Sequence, residues 1–387
     1  MKACGIIVEY NPFHNGHKYH LEKARELTGA EVVIACMSGN FLQRGEPSLF
    51  NKWVKTEMAL LNGVDLVVEL PTFYSNDSAE FFAKGSIKIL DLLKVENIVF
   101  GSEVDNIHIL ENIVSYTETE NFKSTLKDLL KEGISYPKAM SKLVDEKFGE
   151  RVLNPNNILG IEYIRSIKKL DSNIKPIILH RKSVGYYEDG FKEEIASATG
   201  IRKMVEGKKY DEIKKLVPEA TYRLMMGNIN NIAKIDDYYE FIRLKVISDK
   251  KKLEFIADME EGLWNRIYEI CKYSKTFDDF MKEFKNKRYT TGRIKRILCH
   301  ILLEFNKIER EKLDTQEIYI RALGFNEKGA KYIKYLKKNF EVEVITSNKN
   351  IKKSTPDKLD IFEKELVREE IYKMKHYYED KKFAIKI

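Results

Sequence analysis

The densest set of chemically active side chains in this 387-residue chain is the run Val8-Glu-Tyr-Asn-Pro-Phe-His14-Asn-Gly-His17. His14 and His17 lie three residues apart, and three of the seven histidines fall within residues 14–20. Two imidazoles beside the first amide groups of a helix would converge on an anion, and Gly16 has no Cβ to keep a phosphate away from the backbone. This pattern suits nucleotidyl transfer, because negative charge grows on the α-phosphate and on the departing pyrophosphate.

A second candidate element is the segment Ser197-Ala-Thr-Gly-Ile-Arg202. Serine and threonine commonly cap the first turn of a helix, and capping alone would account for them. The arginine adds a group that can bind phosphate oxygens through two parallel hydrogen bonds. We therefore predict that Ser197, Thr199 and Arg202 form a triphosphate clamp opposite the histidine pair.

A cluster of basic residues surrounds Tyr289 within twelve positions of the sequence. Its members are Lys285, Lys287, Arg288, Arg293, Lys295 and Arg296. Basic side chains supply much of the affinity of proteins for RNA phosphates, and an adjacent aromatic ring can stack on an unpaired base. The cluster is therefore a candidate RNA-binding surface, with a solvated basic helix face as the alternative.

The elements that must position these residues alternate along the first half of the chain. The predicted strands are Cys4–Glu9, Glu31–Met37, Asp65–Leu70, Asn97–Phe100 and Lys175–His180, and the predicted helices between them are His17–Thr28, Lys52–Asn62 and Ala79–Leu93. Apolar strands separated by such helices form βαβ units and a parallel sheet. Ligands bind beyond the carboxyl ends of these strands, where the loop before His17 lies. The predicted fold class is α/β, with a Rossmann-like parallel-sheet nucleotidyltransferase domain.

The second half of the chain differs in charge and in pattern. Residues 1–200 carry 24 Lys and Arg against 28 Asp and Glu, whereas residues 201–387 carry 43 against 32. Long amphipathic stretches predict a mostly α-helical region, with one small strand at Val342–Ile345. We expect a nucleotidyltransferase domain at residues 1–205 and a mainly helical, basic region at residues 206–387 that contacts a polyanion.

The composition argues against several other classes of protein. No apolar run approaches the roughly 20 residues that span a bilayer, and the apolar stretch Ala3–Val8 is too short for a signal peptide. The four cysteines are far apart, which predicts buried thiols in a reducing cytoplasm. Neither a Walker A loop nor a Gly-x-Gly-x-x-Gly motif occurs. We expect a cytoplasmic protein with no membrane contact, no obligate protein partner and no dedicated metal site.

Five further motifs accompany the histidine run across nearly the whole chain. They are Met37-Ser-Gly-Asn-Phe-Leu-Gln-Arg-Gly-Glu46, Asn156-Asn-Ile-Leu-Gly-Ile-Glu-Tyr163, Ser197-Ala-Thr-Gly-Ile-Arg202, Tyr289-Thr-Thr-Gly-Arg293 and Arg321-Ala-Leu-Gly-Phe-Asn326. Together with the histidine run they resemble the bacterial tRNA(Met) cytidine acetate ligases, a nucleotidyltransferase family with a His-x-Gly-His motif. One departure is Gly200, where the family pattern has alanine, and glycine is permissive at that helix start.

The resemblance implies an enzyme that activates acetate with ATP to acetyl-adenylate. The acetyl group then passes to the exocyclic amine of the wobble cytidine of elongator tRNA(Met), giving N4-acetylcytidine. Magnesium is expected to accompany the triphosphate, and His14, His17 and Lys18 are expected to be catalytic. The implied ATP contacts are Ile7, Val8, Glu9, Tyr10, Asn11, Pro12, Phe13, His14, Asn15, Gly16, His17, Lys18, Tyr19, His20, Gly101, Asn156 and Arg181, with Asn157 as an alternative to Asn156.

Three other basic residues have weaker signals. Arg44 lies in a polar turn after the second predicted strand and is a candidate contact for acetate or phosphate. Lys52 and Lys55 lie on the next predicted helix, and we expect them to be surface lysines, since most long charged side chains stay solvated.

Two other functions are compatible with parts of the pattern. A small-molecule adenylyltransferase would use the same histidine run but would need no basic second half. A non-catalytic RNA-binding protein with a nucleotide-binding fold would bind RNA without releasing pyrophosphate.

Overall fold

The computed structural model describes residues 1–149, 152–180, 196–260, 262–284 and 289–387. These residues form a seven-stranded sheet, a short two-stranded hairpin and helices on both faces of the sheet. The strands are β1 (Ala3–Val8), β2 (Val32–Ser38), β3 (Phe41–Leu42), β4 (Glu46–Pro47), β5 (Leu66–Leu70), β6 (Asn97–Ser102), β7 (Lys175–His180), β8 (Ala322–Phe325) and β9 (Ile385–Lys386).

The helices of the first half connect and cover the strands. They are α1 (Asn15–Thr28), α2 (Lys52–Leu61), α3 (Thr72–Ser75), α4 (Ala79–Leu92), α5 (Ile107–Thr117), α6 (Glu120–Lys131), α7 (Tyr136–Phe148) and α8 (Pro155–Lys169).

The second half is mainly helical, as expected. Its α-helices are α9 (Ala198–Glu206), α10 (Tyr210–Ile213), α11 (Glu219–Asn228), α12 (Asp236–Ser248), α13 (Leu263–Tyr273), α14 (Phe277–Phe284), α15 (Thr291–Leu303), α16 (Lys307–Lys312), α17 (Glu327–Phe340) and α18 (Pro356–Lys373). Short 3₁₀ helices cover Ile229–Asn231, Lys250–Phe255 and Asn350–Lys353.

The strand order of the main sheet is β7-β6-β1-β2-β5-β8-β9. The pairs within β7-β6-β1-β2-β5 are parallel, β8 runs antiparallel to β5, and β9 runs parallel to β8. From β1 the chain builds outward through β2 and β5, then returns to place β6 and β7 on the other side. The order therefore reverses between β1 and β6, the position at which doubly wound sheets bind their ligands.

The central strands are buried because both faces of the sheet are covered. Every residue of Val32–Ser38 and Leu66–Leu70 is buried. One apolar cluster includes Ile6 and Val33 and continues into α1, α2 and the helices from α9 to α15. The other includes Ile34 and continues into α4 to α8, α17 and α18. Helices from both halves of the chain thus cover one sheet.

The α/β fold class and the parallel sheet are confirmed, and the five predicted strands correspond to β1, β2, β5, β6 and β7. The strand predicted at Val342–Ile345 is wrong, since Ile345 makes a single bridge to Arg321. The strands that extend the sheet are instead β8 and β9, which are too short to stand out in the sequence. Among the described residues, no helix is long and apolar enough to cross a membrane.

Candidate active site

The pairing of β1 with β6 stops short of their carboxyl ends, and we call the region between these ends the crevice. These strands pair only at Cys4 with Asn97 and at Gly5 with Ile98, although both continue further. Beyond that point the carbonyl oxygen of Val99 is 3.0 Å from Nε2 of His20 on α1. The N-terminal half of α1 therefore lies at the reversal point of the sheet, as the sequence predicts.

The loop that enters α1 is held in an unusual backbone conformation. We call residues 9–17 the His14 loop. Tyr10 has a φ of 49°, in the left-handed region, and the Asn11–Pro12 peptide is cis. Non-glycine residues in this region carry strain of order 1–3 kcal/mol and cluster at functional sites. The rings of Tyr10 and Phe13 are buried in the core, so any contact of these two residues with a nucleotide would involve their backbone.

His14 and His17 face each other at the start of α1. Their rings are stacked, with centroids 3.6 Å apart and planes 20° apart. The backbone N–H of His14 donates to Nδ1 of His17 at 3.3 Å. In the neutral imidazole of His17 the proton must then be on Nε2, so this nitrogen is a donor. The spacing therefore brings both imidazoles to the helix N-terminus, where backbone amides favour anions.

The remaining members of the predicted loop divide between the core and the crevice. The side chain of Asn15 is buried and donates to the carbonyl oxygen of Lys215 at 2.9 Å. Gly16, Lys18 and Tyr19 are partly exposed on the first turn of α1. Asn15 thus attaches the loop to the second half of the chain, while its neighbours remain accessible.

Arg202 connects α9 to the His14 loop. Its guanidinium donates to the carbonyl oxygen of Asn11 at 2.9 Å and to the hydroxyl of Thr199 at 3.3 Å. Ser197 caps α9, accepting a hydrogen bond from the N–H of Gly200 at 3.1 Å. The structure therefore brings Arg202 to the loop and shows that Ser197 caps α9, while the predicted triphosphate clamp stays a prediction.

The β3–β4 hairpin supports the loop from the other side. The N–H of Gln43 donates to the carboxylate of Glu9 at 2.8 Å, and the N–H of Leu49 donates to the side chain of Asn11 at 2.7 Å. Arg44 is exposed on the connecting turn. Backbone amides on both sides of β4 thus bind the side chains of Glu9 and Asn11 in the His14 loop.

Glu46 links this hairpin to two basic residues of the second half. Its carboxylate lies 3.3 Å from Arg202 and 3.8 Å from Lys295. Next to it, Gly45 adopts a φ of 70° and packs directly on α15, where an added Cβ would lie 2.2 Å from the backbone nitrogen of Arg296. Only glycine fits here, because both the conformation and the contact exclude a side chain.

Lys55 binds backbone carbonyl groups at the ends of β1 and β2. The prediction that it is a surface lysine is wrong. It is fully buried. Its ammonium donates to the carbonyl oxygens of Glu9, Ser38 and Gly39 at 3.0, 2.9 and 2.8 Å. These carbonyls follow β1 and close β2, so one side chain ties together the two strand ends that carry the site. Burial lowers the pKa of Lys55 from 10.5 to about 7, although the charge of Glu9 opposes the shift.

Lys52 is also buried, and the surface expectation is wrong for it too. It belongs to a four-residue ionic cluster with Glu69, Arg321 and Glu369. Lys52 lies 2.6 Å from Glu69, while Arg321 lies 3.0 Å from Glu69 and 2.7 Å from Glu369. Removing one partner of such a cluster leaves an uncompensated buried charge, so these residues anchor the C-terminal α18 to the sheet.

The predicted contacts on the other side of the crevice lie at the end of β6. Gly101 pairs with Leu179 of β7. The side chain of Asn157 is buried, accepts from the hydroxyl of Ser102 at 2.8 Å and donates to the backbone of Val152. Asn156 is partly exposed and bonds to Glu103. Of the two asparagines, Asn156 is therefore better placed for a ligand. Arg181 lies outside the described residues.

The predicted RNA-binding cluster is only partly described, since Lys285, Lys287 and Arg288 lie outside the described residues. The others belong to α15. Arg293 pairs with Asp258 at 3.1 Å and with Glu260 at 2.8 Å. Burial of Arg296 lowers its pKa. Acidic residues distant in the sequence therefore neutralise much of this segment, which no local pattern predicts.

The chain is similar to known proteins over nearly its whole length. The model of the HIGH Nucleotidyl Transferase family matches residues 1–384. A tRNA(Met) cytidine acetate ligase of Fusobacterium nucleatum is 41% identical over 387 residues, covering 97% of this chain and 96% of the relative. One of Caldanaerobacter subterraneus is 40% identical and covers 100% of this chain and 97% of the relative. The chain belongs to the tRNA(Met) cytidine acetate ligase family.

Solved structures support the same assignment over both halves. The crystal structure of Thermotoga maritima TmcAL bound with alpha-thio ATP has a TM-score of 0.89, with 32% identity and complete coverage of both chains. The apo form of the same protein gives a TM-score of 0.90. The similarity to this tRNA(Met) cytidine acetate ligase family therefore includes the helical second half, not only the nucleotidyltransferase sheet.

Proposed function

We propose that this protein is an ATP-dependent ligase that acetylates the wobble cytidine of elongator tRNA(Met). The observation that carries the proposal is the stacked pair His14 and His17 at the N-terminus of α1, at the reversal point of a sheet shared with the family. The ATP-analogue complex of the Thermotoga relative supports ATP as the nucleotide. The names of the relatives support acetate and tRNA(Met) as the other substrates.

In the first step a carboxylate oxygen of acetate attacks the α-phosphorus of ATP, forming acetyl-adenylate and releasing pyrophosphate. The Nε2–H of His17, the imidazole of His14, the ammonium of Lys18 and the amides of α1 would stabilise the charge that develops on the phosphates. Positioning and electrostatics dominate such reactions. Arg202, already bonded to the His14 loop, would hold the triphosphate tail with Ser197 and Thr199.

In the second step the exocyclic amine of the cytidine attacks the acetyl carbonyl. AMP leaves, the amine loses a proton, and N4-acetylcytidine is formed. The base must reach the crevice from an unpaired loop, since bases in loops can be splayed out for recognition.

The remaining ATP contacts form part of the same proposal. Residues Ile7 through His20, Gly101, Asn156 and Arg181 would contact the nucleotide, and Arg44 is a candidate contact for acetate. Magnesium would accompany the triphosphate. It would neutralise part of the triphosphate charge. Among the described residues, no cluster of three or more His, Cys, Asp or Glu side chains could hold a metal ion.

We further propose a division of labour along the chain. Residues 1–205 would carry the adenylation chemistry, and residues 206–387 would carry tRNA binding. Within the basic cluster at 285–296, the α15 residues Arg293 and Lys295 are paired with carboxylates and would contribute little to it. We place the reaction in the cytoplasm, which suits the four buried free cysteines.

One assay tests this function against its two alternatives. The protein is incubated with ATP and acetate, with and without elongator tRNA(Met). Pyrophosphate exchange and acetylcytidine are then measured, the latter by mass spectrometry. We expect acetate-dependent exchange and acetylated tRNA. Acetate-independent adenylylation of a small metabolite would favour a small-molecule adenylyltransferase, and RNA binding without pyrophosphate release would favour a non-catalytic RNA-binding protein.

A further inference from the structure

Helix α13 carries a row of aromatic and basic side chains next to its buried face. The buried residues recur every four positions, at Leu263, Ile267 and Cys271. Trp264 and Tyr268 come one position later in successive turns and are only partly buried. A four-residue spacing places side chains one above the other on a helix, so these two rings form a row beside the core.

Two lysines lie over these rings. Nζ of Lys250 is 5.4 Å from the ring centroid of Trp264 and 4.5 Å from that of Tyr268. Nζ of Lys272 is 5.7 Å from the ring of Tyr268 and 5.5 Å from the ring of Tyr273. We call these five residues the aromatic–lysine row. Four of them lie on α13, and Lys250 reaches it from the 3₁₀ helix Lys250–Phe255.

The row is open to solvent and keeps much of its charge. Tyr273 is 78% exposed. Lys272 pairs with Glu269 at 2.9 Å. Lys250 and the neighbouring exposed Lys251 take part in no ion pair with any described residue. Two ammonium groups and an exposed ring are therefore available to a ligand.

The basic segment of α15 differs in this respect. The guanidinium of Arg293 is bonded to Asp258, and Lys295 lies 3.8 Å from Glu46. A phosphate would have to compete with these carboxylates. At Lys250 and Lys251, which lie on the 3₁₀ helix Lys250–Phe255 beside α13, no ion pair with a described residue would compete with it.

We propose that the aromatic–lysine row of α13 is an RNA-contacting surface for an unpaired stretch of the tRNA. The inference rests on the proposed function, because it takes RNA as the acceptor. Bases stack on aromatic rings in a way that tolerates any sequence, and lysines bind the adjacent phosphates. In the free protein an ammonium lies over a ring. When a base stacks on that ring, the ammonium moves to the adjacent phosphate, so the rings bind bases and the lysines bind phosphates.

The test measures the dissociation constant of elongator tRNA(Met) at several salt concentrations. Replacing Lys250 and Lys251 together by alanine should weaken binding about tenfold. It should also reduce the slope of log affinity against log salt by about 1.4, since each single-strand phosphate contact contributes about 0.7. Tyr273→Ala should weaken binding about tenfold with an unchanged salt slope, because stacking is not ionic.

Matched controls come from α17, which packs against β2 and β5. Lys337 and Lys338 are adjacent and exposed, and Phe340 is 45% exposed. Their alanine variants should bind tRNA as the wild type does. If the alanine variant of Lys337 and Lys338 weakens binding as much as that of Lys250 and Lys251, the proposal is wrong. It is also wrong if the variants of Lys250, Lys251 and Tyr273 bind normally.

A second readout separates this proposal from the proposed function. Acetate-dependent pyrophosphate exchange without tRNA should be unchanged in every variant of Lys250, Lys251 and Tyr273. If the wild-type protein never acetylates tRNA, the proposed function fails. If the wild type and these variants acetylate limiting tRNA equally well, only the role of the aromatic–lysine row fails.

Discussion

The His14 loop and the basic segment of α15 are both dense in chemically active side chains, but the fold uses them differently. In the loop, His14 and His17 stack within one helical turn and remain at the crevice. On α15, Arg293 and Lys295 are paired with Asp258 and Glu46. The arrangement of the two histidines is set by their spacing within one helix. The environment of the α15 residues is set by carboxylates from other parts of the chain.

This difference shows which sequence signals can be trusted. Residues three apart at a helix start are neighbours whatever the rest of the chain does, because local geometry brings them together. A run of basic residues indicates only a potential surface. Whether its charges face solvent depends on acids that are distant in the sequence.

The largest effect should come from the loop itself. His17→Ala removes an imidazole donor from the site where we propose that phosphate charge develops. The acetate-dependent rate of pyrophosphate exchange should fall by about 10²–10³, as for the loss of a single oxyanion donor elsewhere. His108, whose side chain is 74% exposed and distant in sequence, provides the matched control. Near wild-type activity of His17→Ala would remove this histidine from the phosphate site.

The next effect concerns the contact that joins the two regions. Gly45→Ala forces a Cβ to within 2.2 Å of the α15 backbone in a left-handed conformation. We expect a loss of about 2–4 kcal/mol in the free energy of unfolding, measured by denaturant titration. Gly29→Ala is the matched control, because Gly29 also has a positive φ, of 60°, but has no atom within 4 Å of an added Cβ. Equal losses in both variants would mean that the packing contact contributes nothing.

Much of the fold can be predicted from short-range pattern. The five parallel strands appear as apolar runs because both of their faces are buried, and the order of strands and helices indicates βαβ units. The strands β8 and β9 cannot be predicted in this way. They are four and two residues long, and β8 is positioned by pairing with β5, more than 250 residues earlier in the chain.

The candidate site can also be predicted only where its residues are close together in the sequence. The histidine pair and the approach of Arg202 follow from motifs that are contiguous in the sequence. The prediction of surface lysines at Lys52 and Lys55 is wrong, because their partners come from the ends of distant strands and from α18. One signal in the sequence points to burial: Lys52–Leu61 contains six apolar residues, Trp53, Val54, Met58, Ala59, Leu60 and Leu61, and they surround most of the helix. A lysine side chain in such a helix is therefore expected to be buried.

A smaller effect should appear as a pH dependence of ATP binding. Lys55 holds three carbonyls, and its pKa of about 7 means that it loses a proton as the pH rises from 6 to 8.5. The neutral amine has two N–H groups for three acceptors, so we expect the loop to loosen and the KM for ATP to rise about tenfold. Lys55→Arg keeps its charge and should show a flat profile over this range.

Stability separates this effect from unfolding. The unfolded chain keeps the Lys55 proton up to its ordinary pKa of 10.5, whereas the folded chain releases it near 7. The unfolded state therefore binds more protons between these values, and the contribution of Lys55 to the free energy of unfolding increases with pH. A KM that rises while the protein becomes no less stable would assign the change to the loop. A KM that is flat in the wild type would contradict the bracing role.

The smallest effect should come from the ion pairs of α15. The Arg293 side chain is 24% exposed and that of Asp258 is 18% exposed, so solvent screens their interaction. A double-mutant cycle with Arg293→Gln and Asp258→Asn should give a coupling energy of about 0.5–1 kcal/mol in the free energy of unfolding. If Arg293 serves the fold, Arg293→Gln alone should leave tRNA affinity within about twofold of the wild type. A coupling energy near zero, together with a large loss of tRNA affinity, would instead give α15 the RNA-binding role that its sequence suggested, and the contrast with the His14 loop would disappear.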